Sequence, residues 1–231
     1  MIEGIKVIGF DADDTLWVNE IYFRETEEKF CHLLTPYVNE PEKIIPELYH
    51  TEMQNMRTYG YGIKAFILSV IETALRLTEG QIPGSIIEEI LSLGKIQLSH
   101  PVELLEGVKE TLNALVGRYR LILVTKGDLL DQENKLRNSG LEHLFHHVEI
   151  MSDKHAGAYQ KLLNHIDVRA EEFLMVGNSV RSDILPPLAL GCYAIHVPYP
   201  ITWEHERVSE PVRNPHFYEV ETLWDMISLL P

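Results

Sequence analysis

Apolar residues along this 231-residue chain follow two rhythms. Short β-branched runs that stop at Gly, Asp or Asn recur at residues 5–13, 120–128, 147–151, 172–178 and 192–198, the pattern of buried strands. Between the later runs, residues 129–139, 156–166 and 181–190 carry apolar positions at helical spacing. Strand–helix alternation of this kind predicts an α/β fold, a doubly wound and mainly parallel sheet covered by helices on both faces.

Residues 18–103 break the rhythm. They show no strand pattern but four helical stretches, near 18–38, 41–57, 63–79 and 84–98, punctuated by Pro36, Pro41, Gly60, Gly62, Gly80 and Pro83. This is too much chain for a crossover. It reads as an inserted helical cap, which in a doubly wound fold is expected over the carboxyl ends of the strands, where ligands bind. The core is then 1–17 with 104–231, and the cap 18–103. Residues 105–117 predict the helix returning to the second strand, 197–217 a proline-rich surface loop, and 221–230 a last helix.

Composition narrows the partners. Hydrophobic residues at 45% and charged residues at 24% exclude a disordered chain. Twenty Lys and Arg against 35 Asp and Glu give a net charge of -15, the wrong field for nucleic acid or an anionic membrane. A small anionic substrate stays compatible, because a bound cation outweighs a screened surface charge locally. Cys31 and Cys192 are too distant in sequence to suggest a disulfide framework or zinc knuckle. The N-terminal run lacks the organisation of a signal peptide, and no stretch approaches the ~18 apolar residues of a membrane span, so a cytoplasmic location is expected. Nothing in the sequence indicates an oligomeric state.

Chemistry concentrates at the predicted strand ends. The first strand runs into Asp11-Ala12-Asp13-Asp14-Thr15. In an extended chain Asp11 and Asp13 project to one face, ~6–7 Å apart, and two such carboxylates require a cation, a proton or both. Asp14 is expected to turn away and Thr15 to cap the turn. The second strand ends in Thr125-Lys126-Gly127-Asp128, which places a hydroxyl, an ammonium and free backbone N–H groups where a phosphate can be held. The bland alternative is a strand-to-helix turn with Asp128 as cap. Lys154 follows the third strand, and Gly177-Asn178 with Asp183 follows the fourth.

These four stations, in this order, resemble the motifs of the haloacid dehalogenase (HAD) superfamily over essentially the whole chain, and the helical insertion is similar to its C1-type cap. The resemblance implies a Mg2+-dependent phosphatase acting on a small phosphorylated metabolite. Asp11 would be the nucleophile and Asp13 the acid/base. Thr125 and Lys154 would serve catalysis and, with Lys126 and Gly127, grip the phosphate. Asp11, Asp13 through its backbone carbonyl, Asn178 and Asp183 would form the metal set. Asn178 departs from the pattern, since the family commonly has an acid there; weaker metal binding is expected. Lys161 is the alternative to Lys154, disfavoured by its place inside a helix. Asp13 favours phosphatase over dehalogenase, because displacing halide needs no protonated leaving group.

Substrate choice is expected in the cap, at Arg57–Lys64, where Tyr61 and Lys64 are the candidates, with Trp17 lining the entrance or acting as hinge. His143, His146 and His147 lack accompanying metal ligands. Three other readings remain: a phosphomutase, a dehalogenase-type enzyme, and a non-catalytic phosphate-binding module of HAD-like or receiver-like type.

Overall fold

A computed structural model describes residues 1–231. Six strands, β1 Val7–Phe10, β2 Arg120–Lys126, β3 His147–Met151, β4 Phe173–Gly177, β5 Tyr193–His196 and β6 Phe217–Glu219, form one sheet in the order β3-β2-β1-β4-β5-β6. Every neighbouring pair is parallel, with Phe10 level with both Leu123 and Val176. The direction of winding reverses between β1 and β4, so the carboxyl ends of these two strands border the crevice where such sheets place ligands.

The helices are α1 Glu20–Leu34, α2 Ile44–Tyr59, α3 Ile63–Leu77, α4 Gly84–Leu98, α5 Val108–Leu115, α6 Leu129–Ser139, α7 Ala156–His165 and α8 Leu185–Leu188. The chain divides into two compact units. One comprises Met1–Glu20, Val102–Lys126 and Gln132–Pro231; the other comprises Ile21–Pro101 with Gly127–Asp131.

In the first unit both sheet faces are buried, for the reason the unbroken apolar runs suggest. Ile8, Phe10, Leu121, Leu123, Leu174 and Val176 pack with Val108, Leu112 and Leu115 of α5 and with Leu223 and Met226. The alternate residues Val7, Ile122, Val124, Phe173 and Met175 pack with Tyr159, Leu162 and Leu163 of α7. Period-2 alternation here divides two apolar cores rather than core from solvent.

The second unit has its own core. Ile63, Phe66, Ile67, Val70 and Ala74 recur at helical spacing on α3 and meet Phe30 and Leu34 of α1, Ile44 and Leu48 of α2, and Ile86 and Ile90 of α4. A Cβ on Gly94 of α4 would fall 2.6 Å from Ile67 Cγ1, so the bare glycine is what lets α4 approach α3. No helix is long and apolar enough to cross a membrane.

Three elements differ from the sequence pattern. The expected helix at 181–190 is a π-helical turn, Val180–Ile184, followed by the short α8. Pro186 and Pro187 have no N–H to donate and are tolerated only in the first turn. The expected last helix is a 3-10 helix, Leu223–Leu229. Strand β6 begins at the last residue of the expected 197–217 loop, its three residues too few to show a period.

Candidate active site

The strand ends assemble a polar cluster inside the first unit. Asp11 leaves β1 with its N–H donating to the Val176 carbonyl at 2.9 Å, which fixes its backbone beside β4. Lys154, beyond β3, is 4% exposed, and Asp183, in the π-helical turn, is 0% exposed. The Lys154 Nζ donates to Asp11 Oδ1 at 2.5 Å and to Asp183 Oδ1 at 2.6 Å. The other Asp183 oxygen accepts the Ser179 N–H at 3.0 Å.

Gly177 makes this approach possible. A Cβ there would lie 2.3 Å from Asp183 Oδ2, and Asp183 cannot yield, being held by Lys154 and Ser179. Gly177→Ala should therefore cost about 1–3 kcal/mol and disturb the Lys154 pair. Thermal melting alongside the activity assay checks this, and a variant that melts like wild type contradicts the tight packing.

Two buried carboxylates share one ammonium. Burial, and then the Asp183 charge, raise the Asp11 pKa well above the usual carboxylate range, with Lys154 working the other way. Burial pulls Lys154 down, but the charges of Asp11 and Asp183 outweigh it and hold its pKa raised.

Asp13 is gripped by three donors: the Trp17 indole N–H at 2.8 Å, Lys135 Nζ at 3.0 Å and Gln132 Nε2 at 2.8 Å. Asp14 does turn away, at φ 59°, and accepts the N–H groups of Asn19 and Glu20 as α1 begins. Burial, then the Asp13 charge, push its pKa up to about 8.

Thr15 does more than cap a turn. Its hydroxyl lies 3.2 Å from Asp11 Oδ2 and 3.2 Å from Asn178 Oδ1, and it accepts the Asn178 N–H at 3.1 Å. Asn178 is thus tied through Thr15 to Asp11.

The phosphate-loop candidates are differently engaged. Thr125 is buried near the end of β2, and its hydroxyl contacts the Lys126 carbonyl at 3.3 Å. Gly127 adopts φ 130°, a region that favours glycine. Lys126 Nζ is committed to Glu206 Oε1 at 2.5 Å and Ser182 Oγ at 2.9 Å. Glu206 also accepts the hydroxyls of Ser179 and Ser182, anchoring the 198–216 loop to the β4 turn.

Burial alone would raise the Glu206 pKa, but Lys126 and the two hydroxyls bring it down to about 2 from 4.5. A depressed folded-state pKa contributes stability above the unfolded value, lost as pH falls toward the folded one. Glu206→Gln should therefore lose about 3 kcal/mol at pH 7. The gap should close as pH falls from about 4.5 to about 2. Urea unfolding across that range checks it, and a pH-independent gap would contradict the pairing.

One of the substrate candidates needs correction. Trp17 lines no entrance: it is 1% exposed, within the sheet core. Lys64 pairs with Asp128 at 2.8 Å inside the helical unit. Tyr61 is half-buried in the same unit. Asp128 also accepts the Asp131 N–H at 3.1 Å, as the bland reading of that turn expects. Gln132, Lys135 and the pairing role of Glu206 were not foreseen, because polar residues on a helix or in a loop look like solvated surface.

No three His, Cys, Asp or Glu side chains are arranged to hold a metal among themselves. The donor set nevertheless fits Mg2+, which binds through one or two carboxylates and completes its shell with other oxygens. Asp11 and Asp183 leave one negative charge beyond what Lys154 neutralises, and the Asp183 charge adds to burial in raising Asp11.

The fold agrees with what the chain is similar to. A family model described as haloacid dehalogenase-like hydrolase matches residues 5–191. A solved haloacid dehalogenase-like family hydrolase from Xanthomonas campestris is 36% identical, with 98% of this chain and 94% of that chain covered and a TM-score of 0.85. A structure described as a predicted phosphoglycolate phosphatase from Haemophilus somnus (19% identical, 99% of each chain, TM-score 0.64) shares the fold. So does a 2-haloacid dehalogenase from Pseudomonas syringae (20% identical, 97% of each chain, TM-score 0.64). No curated protein matches significantly. With its six-stranded parallel sheet and the family match across most of its length, the chain belongs to the haloacid dehalogenase-like hydrolases.

Proposed function

We propose that this hydrolase cleaves small phosphomonoesters with Asp11 as nucleophile. The observation that carries the reading is the buried Asp11–Lys154–Asp183 cluster with its surplus negative charge, bordering the reversal point of the sheet. Asp11, Asp183, Asn178 and the Asp13 carbonyl are the oxygens that would hold Mg2+. Once bound there, the ion would offset the repulsion between Asp11 and the substrate's phosphate.

An Asp11 carboxylate oxygen forms the bond to phosphorus as the ester bond to the leaving oxygen breaks. Lys154 keeps Asp11 aimed and, with the Thr125 hydroxyl, offsets charge on the phosphoryl oxygens, the main requirement in phosphoryl transfer. Asp13 delivers a proton to the departing alkoxide and takes one from the water that cleaves the phosphoenzyme. Asn178 in place of an acid leaves metal affinity modest.

The test is a panel of alkyl and aryl phosphates beside 2-haloacids, with Mg2+ or with chelator. Phosphate release that needs Mg2+ is expected. Halide release without phosphate release would assign the chain to dehalogenation instead.

A further inference from the structure

The proposed acid/base, Asp13, is held by two residues of α6 that the proposed chemistry does not use. We infer that Lys135 and Gln132 of α6 are positioning residues for Asp13; the inference rests on the phosphatase reading above.

Both residues lie on one face of α6, three positions apart, and reach Asp13 across more than a hundred residues of sequence. Each Asp13 oxygen is addressed separately. Lys135 joins the Trp17 indole on Oδ1, and Gln132 takes Oδ2. Lys135 is itself held by Asn19 Oδ1 at 2.8 Å.

Gln132 is the more telling of the two, being only 2% exposed. Its Nε2 donates both to Asp13 Oδ2 and to the Lys126 carbonyl at 3.0 Å. Two acceptors on one side fix the amide with its nitrogen toward them, and Gln132 Oε1 is left buried without a partner. A buried unpartnered acceptor is costly, and a residue of similar size without it would fill the same space. The arrangement ties Asp13 to the end of β2, the strand that carries Thr125, and so fixes the proton donor relative to the strand end that meets the phosphate.

Three donors on its two oxygens restrict the rotamers open to the Asp13 carboxylate. Loss of one donor should misplace it. Formation of the phosphoenzyme should then slow only where the leaving oxygen needs a proton, whereas hydrolysis of the phosphoenzyme, in which Asp13 is the base, is common to both esters. Lys135→Met and Gln132→Met are compared using an alkyl phosphate and p-nitrophenyl phosphate, whose phenolate leaves without a proton. For the alkyl ester kcat should fall about 10- to 100-fold with KM within about twofold. For the aryl ester the pre-steady-state burst of nitrophenolate, which reports phosphoenzyme formation, should change in rate less than about threefold. In an Asp13→Asn background the same substitutions should have no further effect on alkyl turnover, and Lys135→Arg should recover part of it.

Equal losses in the rate of phosphoenzyme formation from both esters, or losses that persist without the Asp13 carboxylate, would overturn the inference and make the two residues merely structural. Unchanged kcat in both variants would overturn it too. A wild-type protein that releases phosphate from neither ester would instead overturn the phosphatase reading, and this inference with it.

Discussion

Lys154→Met is expected to destabilise the protein by about 3–5 kcal/mol and to abolish turnover, because it removes the one cation between two buried carboxylates. The Lys154 ammonium lies 2.5 Å from Asp11 Oδ1 and 2.6 Å from Asp183 Oδ1. Asp183 also accepts the Ser179 N–H, but Asp11 keeps only the Thr15 hydroxyl at 3.2 Å. The deficit should shrink below neutral pH, because the raised Asp11 takes up a proton there and the cluster loses one charge. Urea unfolding without divalent cation at pH 8 and pH 5 measures both effects. A cost under about 1 kcal/mol at pH 8, within the range of an exposed ion pair, would contradict the buried arrangement.

Asp11→Asn should separate function from stability. Turnover should fall by at least about a thousandfold, since an amide is no nucleophile toward phosphorus. The melting temperature at pH 8, without divalent cation, should be equal to or above that of wild type. In the native protein burial and the Asp183 charge both disfavour the Asp11 carboxylate. A folded-state pKa raised above the unfolded value of 3.8 means the group favours folding least once pH exceeds it. The asparagine keeps an oxygen for Lys154 and presents an N–H to the Thr15 hydroxyl. The charge is therefore carried at a cost, as catalytic groups often are. Melting curves and turnover measured on the same samples decide, and a variant both inactive and markedly less stable would show that Asp11 serves structure first.

Much of this could be read from the chain because each signal was local. The apolar runs at β1, β2, β3 and β4 end in chemically distinctive residues, and a parallel sheet brings those ends to one edge. The extents of α3, α4 and α6 follow from apolar spacing, with Gly60, Gly62 and Pro83 marking where the first two begin. Proline chemistry explains the miss at Val180–Leu188, where a tandem pair breaks the donor ladder that a period alone assumes.

The remainder of the site depends on distant partners. Lys126 reads as a phosphate ligand until Glu206, eighty residues on, takes its ammonium. Trp17 follows the acidic motif directly, yet its indole turns into the sheet core and gives only its N–H to Asp13. Gln132 and Lys135 sit on a helix of largely polar sequence, where neither is distinguishable from its neighbours until the fold places both against Asp13. The excess charge of -15 is likewise a sum over the chain. Only packing shows that two of those carboxylates are buried around a single lysine.

The central claim is that Asp11 becomes phosphorylated during turnover. Its most direct test is an acid-quenched single turnover with a radiolabelled phosphomonoester and Mg2+, followed by mapping of the labelled peptide. The account predicts alkali-labile label on the peptide carrying Asp11, absent from the Asp11→Asn protein; label on another residue, or undiminished phosphate release by Asp11→Asn, would contradict it.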